Sequence, residues 1–396
     1  MNYCKIFLKP KKEDSLLRFH PWVFSGAIAS IKGKPEEGDL VEVYSTDNKF
    51  LGVGHYQIGS IAVRILSFKP ATIDKAFWIE KIRIAYDLRR ILRLAEVADN
   101  NTYRLIHGEG DQLPGLIIDV FDTTAVIQAH SVGMHYARKM IADALKEVVG
   151  NTLHNIYYKS EGTLPYKAAL GNENEYLLGG DTNKENIAIE NGLRFYVDWI
   201  KGQKTGFYID QRDNRILLEK YASNRSILNT FCYTGGFSVY AMRGGAKVVH
   251  SVDSSSKAIA LAQKNIELNF PNDQRHQAFS EDAFNYLGKI RDQYDLIILD
   301  PPAFAKHKNV IRNALIGYRK LNAIAIEQIR PGGIIFTFSC SQVISKNDFR
   351  LAVFSAAAQS GRPVRILHQM TQPADHPVNI YHPEGEYLKG LVLEIG

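Results

Sequence analysis

Cysteine is scarce in this chain. Three in 396 residues, Cys4, Cys232 and Cys340, are an odd number and form no Cys-x-x-Cys pair. That argues against a disulfide framework and a cysteine zinc site, and it predicts a reducing compartment, the cytoplasm, with no metal. Long apolar runs are missing too: none approaches the roughly 18 residues that a membrane helix needs, so no membrane partner is expected. The opening MNYCKIFLKPKKEDSLL has lysines but no long apolar core or small-residue cleavage site, and does not read as a signal peptide. There is no internal repeat and no low-complexity tract. The dinucleotide fingerprint GxGxxG is also missing, which counts against a nicotinamide dehydrogenase.

What is there describes an ordinary globular protein, 45% hydrophobic and 23% charged. Its length suffices for two or three domains. A net charge of +6 leans mildly towards polyanionic partners. Composition leaves the oligomeric state open, a homodimer among the options.

The texture changes along the chain. Residues 1–70 hold short runs with β-branched alternation (GDLVEVYS, FLGVGHYQ, SIAVRILSF) and no long helix, which predicts a small β-barrel. Over 71–180 the amphipathic pattern TIDKAFWIEKIRIAYDLRRILRLA predicts a helix. Strands at GLIIDVF and TAVIQAH, a helix ended by Gly150 and a strand at NIYYKSE complete a small α+β domain. Within 181–200, Asn191-Gly192 between apolar alternations predicts a bridging hairpin. From 201 to 396 strands alternate with helices, which predicts an α/β, Rossmann-like, doubly wound parallel sheet.

Ligands of such sheets lie beyond the carboxyl ends of the strands. After the first strand comes TFCYTGGFS, where Gly235-Gly236 permit a tight turn that aims a helix N-terminus at a ligand. The second strand ends at Asp253, suited to ribose hydroxyls, with capping of the next helix the plainer and compatible role. Asp282, before a later helix, suits an exocyclic amine or again a cap. The fourth strand ends in LDPPAF, a rigid turn presenting Asp300 and the ring of Phe304, as for gripping a planar base. The last apolar strand ends at Cys340, between two serines, at the same expected sheet edge. Cys232, in the first glycine turn, is its competitor as nucleophile, and a buried filler is the plain reading of either.

Together these features resemble the class I S-adenosylmethionine (SAM) methyltransferases. GQKTGFYIDQRDNR (202–215), FCYTGGFSVYA (231–241), LDPPAFAK (299–306) and SCS (339–341) further resemble the family of 5-methylcytosine methyltransferases of large-subunit ribosomal RNA. RFHPWVFSGAI (18–28) is similar to that family's PUA domain, an RNA-binding barrel, and DQLPGLIIDVF (111–121) to its middle domain. The resemblance implies SAM as cofactor, S-adenosylhomocysteine as product and ribosomal RNA as partner. It implies a cofactor site of Gln203, Tyr208, Arg212, Phe231, Tyr233, Thr234, Gly235, Asp253, Ser254, Asp282 and Asp300, and a base site of Pro301, Pro302, Phe304 and Lys306. Arg212 would pair with the cofactor carboxylate, or else sit on a solvated helix face.

Cytosine C5 is a poor nucleophile, so its methylation calls for a thiolate adding to C6. The resemblance implies Cys340 for that role, with Asp300 reading the base edge. The group that removes the C5 proton is not given by the sequence. Competing readings are an RNA N-methyltransferase, which would use DPPAF without a thiol, and a non-catalytic RNA-binding assembly factor. On the RNA side Arg18, His20 and Trp22 are candidates, Trp22 reading better as core.

Overall fold

The computed structural model describes residues 3–165, 170, 174–180 and 185–396. Contacts divide the chain into two compact units. The first comprises Met1–Asn191, Val197–Ile209 and Ala374–Gly385, the second Gly192–Tyr196, Asp210–Pro373 and Glu386–Gly396. The units are therefore not linear segments: residues 201–209 and 374–385, from the expected last domain, belong to the first unit. No helix among the described residues is long and apolar enough to cross a membrane.

The first unit opens with β1 (Cys4–Leu8), the short α1 (Asp14–Leu17), β2 (Trp22–Phe24), β3 (Ile28–Lys32), β4 (Leu40–Tyr44), β5 (Phe50–Tyr56) and β6 (Ile61–Ser67). They form one six-stranded sheet in the order β2-β6-β5-β4-β1-β3. Alternate residues Ile6, Leu8, Val41, Val43, Val63 and Ile65 point inward into a core of their own. A five-stranded sheet follows, built from β7 (Thr102–His107), β8 (Leu116–Phe121), β9 (Thr124–Ala129), β10 (Asn155–Tyr158) and β11 (Glu175–Leu178). Helices α2 (Lys75–Ile91) and α3 (Val132–Val149) bury Trp78, Ile82, Met134, Ile141 and Leu145 against it. Asp74 and Ser131 cap the two helices through their side chains. The returning 374–385 segment is tied in by Asp375. Its carbonyl accepts from Arg89, whose guanidinium is fully buried in a bidentate pair with Asp111.

Asn191 and Gly192 both take positive φ, 50° and 77°, as a two-residue hairpin turn requires. They separate β12 (Ile187–Glu190) from β13 (Leu193–Tyr196), which fall to different units.

The second unit contains α4 (Arg212–Ala222), β14 (Ser226–Thr230), α5 (Gly236–Arg243), β15 (Val248–Asp253), α6 (Ser256–Asn269), β16 (His276–Ser280), α7 (Ala283–Leu287), β17 (Leu296–Leu299), α8 (Ile311–Gln328), β18 (Gly333–Ser339), α9 (Lys346–Ser360), β19 (Val364–Met370) and β20 (Lys389–Ile395). Its seven-stranded sheet runs β16-β15-β14-β17-β18-β20-β19. Six of the seven strands run in one direction, five of them paired with one another in parallel, as the strand–helix alternation predicts. The all-parallel expectation needs one correction: β20 lies antiparallel between β18 and β19. The strand order turns outward in both directions from β14 and β17, which makes the carboxyl ends of these two strands the switch point where ligands bind.

Candidate functional site

The first strand–helix turn is built from unusual backbone. Phe231 and Tyr233 take positive φ, 54° and 46°, and so does Gly235 at 76°. For the two aromatic residues that conformation costs on the order of 1 kcal/mol or more each, and such strain concentrates at functional sites. The turn is held from outside. Asp253, at the end of β15, accepts from Tyr233 N at 3.0 Å and from Ser255 N at 2.9 Å. Asn265 Nδ2 donates to Thr234 O at 2.8 Å. Gly235 must be glycine on two counts, since a Cβ there would also come within 3.0 Å of Ala262 on α6.

The capping alternative for Asp253 is corrected: Ser255 caps α6, its hydroxyl accepting from Ala258 N. The acid spans the turn instead, with Ser254 next to it. Asp282 does cap, accepting from Asn285 N at the start of α7, and it stands past the end of β16. Beyond β17, one oxygen of Asp300 accepts from Gln211 Nε2 at 3.1 Å, and Gln211 in turn accepts from Asn214 at 2.6 Å. Arg212, beside Gln211 at the head of α4, is buried, not on a solvated face. Four loops thus converge at the carboxyl edge of the sheet, with carboxylates on three of them.

Cys340 follows the last residue of β18. Parallel pairing of β17 with β18 brings it to the Asp-Pro-Pro turn, and its Sγ lies 4.0 Å from Pro301 O. The thiol is half-buried, whereas Cys232 is 6% exposed and packs against Ile259 and Ala262. Burial pushes the Cys232 thiol far up, with Asp253 adding to the shift, so it is a poor source of thiolate. Pro301 is buried, while Pro302 and Lys306 are exposed. The ring of Phe304 stands against Tyr318, centroids 4.6 Å apart, which fixes one side of it on α8.

Sequence reasoning missed the groups that join these loops. Ser341 Oγ accepts from Ala305 N at 3.3 Å and lies 3.1 Å from the Tyr318 hydroxyl, which also accepts from Ser339 at 3.0 Å. Lys389 Nζ donates to Ser341 O at 2.6 Å and Ile344 O at 2.7 Å. A lysine heading the apolar run GLVLEI was the available signal.

Gln203 and Tyr208 belong to the first unit, where Tyr208 Oη donates to Gln203 Oε1 at 2.6 Å. Arg18 is exposed in that unit. Trp22 is not the core residue expected: half-buried, it donates through Nε1 to Glu109 at 2.9 Å and rests its ring 4.3 Å from His382. His20, His382 and Glu384 cluster there within ligating range. However, Trp22 N donates to His20 Nδ1, which leaves the ring proton on Nε2, facing Glu384. That is the tautomer of a hydrogen-bond donor, not of a metal ligand.

The family model of S-adenosylmethionine-dependent methyltransferases matches residues 164–381. The chain belongs to this family. A PUA-like domain matches residues 6–68, the six-stranded sheet. Among curated relatives, one from Aeromonas hydrophila is 40% identical over 98% of this chain and 99% of its own length, and is named ribosomal RNA large subunit methyltransferase I. A relative of the same name from Tolumonas auensis is also 40% identical, over 98% of each chain. A SAM-dependent methyltransferase fold from Streptococcus mutans superposes with TM-score 0.83 at 24% identity, covering 98% of this chain and 99% of the other. A methyltransferase solved with S-adenosylhomocysteine gives 0.84 at the same identity and coverage. These two likenesses are of fold. The cofactor of this SAM-dependent methyltransferase is S-adenosylmethionine, and the converging carboxylates beside a glycine turn and a helix N-terminus are a donor set that fits it.

Proposed function

We propose that this methyltransferase acts on C5 of a cytosine in large-subunit ribosomal RNA, in the cytoplasm, with Cys340 as the nucleophile. The observation that carries the reading is a half-buried thiol at the end of β18, 4.0 Å from the carbonyl of Pro301 in the Asp-Pro-Pro turn. The names of the curated relatives support the RNA class. So does the PUA-like barrel.

In this reading Asp253 and Ser254 hold the cofactor ribose and Asp282 its adenine amine. Phe231, Tyr233, Thr234 and Gly235 form the turn beneath it, and Arg212 pairs with its carboxylate. The bound cofactor supplies an electrophilic methyl group. Asp300, oriented by Gln211, reads the polar edge of the cytosine, between Pro301, Pro302, Phe304 and Lys306. The Cys340 thiolate adds to C6, forming a C–S bond and pushing the electron pair to C5. Once C5 carries the methyl group, its proton leaves to a base, the C5–C6 double bond reforms and the thiolate is expelled.

The test is Cys340→Ala. Methyl transfer to ribosomal RNA should fall on the order of 10³-fold or more, while calorimetric SAM affinity stays unchanged. Wild-type product should be 5-methylcytidine by nucleoside mass analysis. Wild-type rates in the alanine variant would sink the reading, as would an N-methylated purine product.

A further inference from the structure

Lys389 begins β20, directly across the ladder from Ser339, the residue before Cys340. Its side chain is almost wholly buried, 6% exposed. A buried ammonium ordinarily has a carboxylate partner, because an uncompensated charge is expensive to desolvate. Among the described residues no carboxylate bonds to this one. Glu386, the acid close by in sequence, is paired with Lys346 instead. Among the described residues the ammonium donates only to the main-chain carbonyls of Ser341 and Ile344, both in the loop that follows Cys340. A positive charge has been placed behind the thiol with no carboxylate bonded to it, and Glu386, held by Lys346, favours it only at longer range.

We infer that Lys389 is a positioning residue for Cys340: it locks the 341–344 loop so that the thiol faces the Asp-Pro-Pro turn, and its charge stabilises the thiolate. This rests on the reading of Cys340 as nucleophile. Other charged or titratable groups at this corner are Tyr318, whose phenol is pushed up by burial and which meets Ser339 and Ser341, and the Lys346–Glu386 pair. Burial depresses the Lys389 ammonium to about 8, and the nearby Cys340 works against that shift. The lysine therefore remains mostly charged at neutral pH, and each of the two charges favours the other. On losing its proton to solvent, Cys340 becomes the anion that the ammonium faces, with no other bond made or broken.

The experiment is the pH profile of iodoacetamide alkylation at Cys340 in the full-length protein without RNA, read on the Cys340 peptide by mass spectrometry. Wild type should show a midpoint below the ordinary thiol value of about 8.5. Lys389→Met, of similar length but uncharged, should raise the midpoint by about one unit and slow alkylation at pH 7 about tenfold. Its methyl transfer should fall in kcat more than in KM, with SAM affinity kept. A midpoint unmoved in folded Lys389→Met overturns the inference. If that variant does not fold, the wild-type midpoint decides: below about 8.5 it supports the inference, and at or above that value overturns it. Because alkylation needs no RNA, its result is separate from the fate of the nucleophile reading. A dead Cys340→Ala with an unmoved midpoint would fell only the role of Lys389.

Discussion

At the scale of single residues, two cysteines follow strands of one sheet, and their surroundings give them different chemistry. Cys232 is packed among Ile259 and Ala262, where its sulfur behaves as a small hydrophobe. Cys232→Ala should cost about 1 kcal/mol of stability and leave methyl transfer within about threefold of wild type. A loss as deep as that expected for Cys340→Ala would contradict the division of roles. The positions of Cys340, Asp253 and Asp300 at or just past strand ends were legible because strand ends can be read from the sequence. Their partners were not. Gln211 reaches Asp300 across 89 positions, Lys389 reaches Ser341 across 48, and Tyr318 meets Phe304 only once α8 has docked. Each such contact depends on the packing of distant segments, which no local pattern encodes.

Elements were legible where their periodicity was strong. The amphipathic run from 73 to 92 becomes α2, and the β–α alternation after 225 becomes the parallel part of the sheet. The antiparallel entry of β20 was not legible. Its apolar run is buried on both faces, so it carries no mark of direction, and its neighbours are set by a connection that passes through the other unit. The seating of α3 was also hidden. Its Gly133 faces His55 of β5 so closely that a Cβ would come within 2.1 Å of the imidazole. The helix end therefore needs a residue without a side chain, and Gly133→Ala should destabilise the first unit by about 1–3 kcal/mol. Gly26, where a Cβ meets nothing within 4 Å, is the control: Gly26→Ala should change stability by about 0.5 kcal/mol or less. Urea midpoints compare the two, and equal midpoints would show that the close approach carries no energetic weight.

At the scale of the whole molecule, three textures in sequence resolve into two units because the chain returns: residues 374–385 come back to the first unit after most of the second is built. Linear patterns cannot announce such a return, since what holds it are single contacts such as that of Asp375 with Arg104 N. Each unit also contains a histidine kept neutral by its burial, and this makes the stability of both depend on pH. His55 is 5% exposed with no partner for its Nδ1 among the described residues, and desolvation, aided by Arg64, lowers it from 6.5 to about 4. His276 in the second unit, half-buried against Ser251, is lowered to about 4 as well. Between these values and 6.5 the unfolded chain binds protons that the folded chain refuses. Stability therefore falls as pH drops from about 6.5 to about 4, and the cost levels off below. Above pH 6.5 both states are neutral at these rings and the term vanishes. For His55 the loss between pH 7 and pH 5 should be about 2 kcal/mol, and less for the more exposed His276. Urea unfolding at the two pH values checks this, with His55→Asn expected to reduce the dependence of the first unit, where burial lowers His107 and His130 as well, and to leave that of the second in place. A first unit equally stable at both pH values, or one whose pH dependence is undiminished in His55→Asn, would show that this ring is not among the groups refusing the proton.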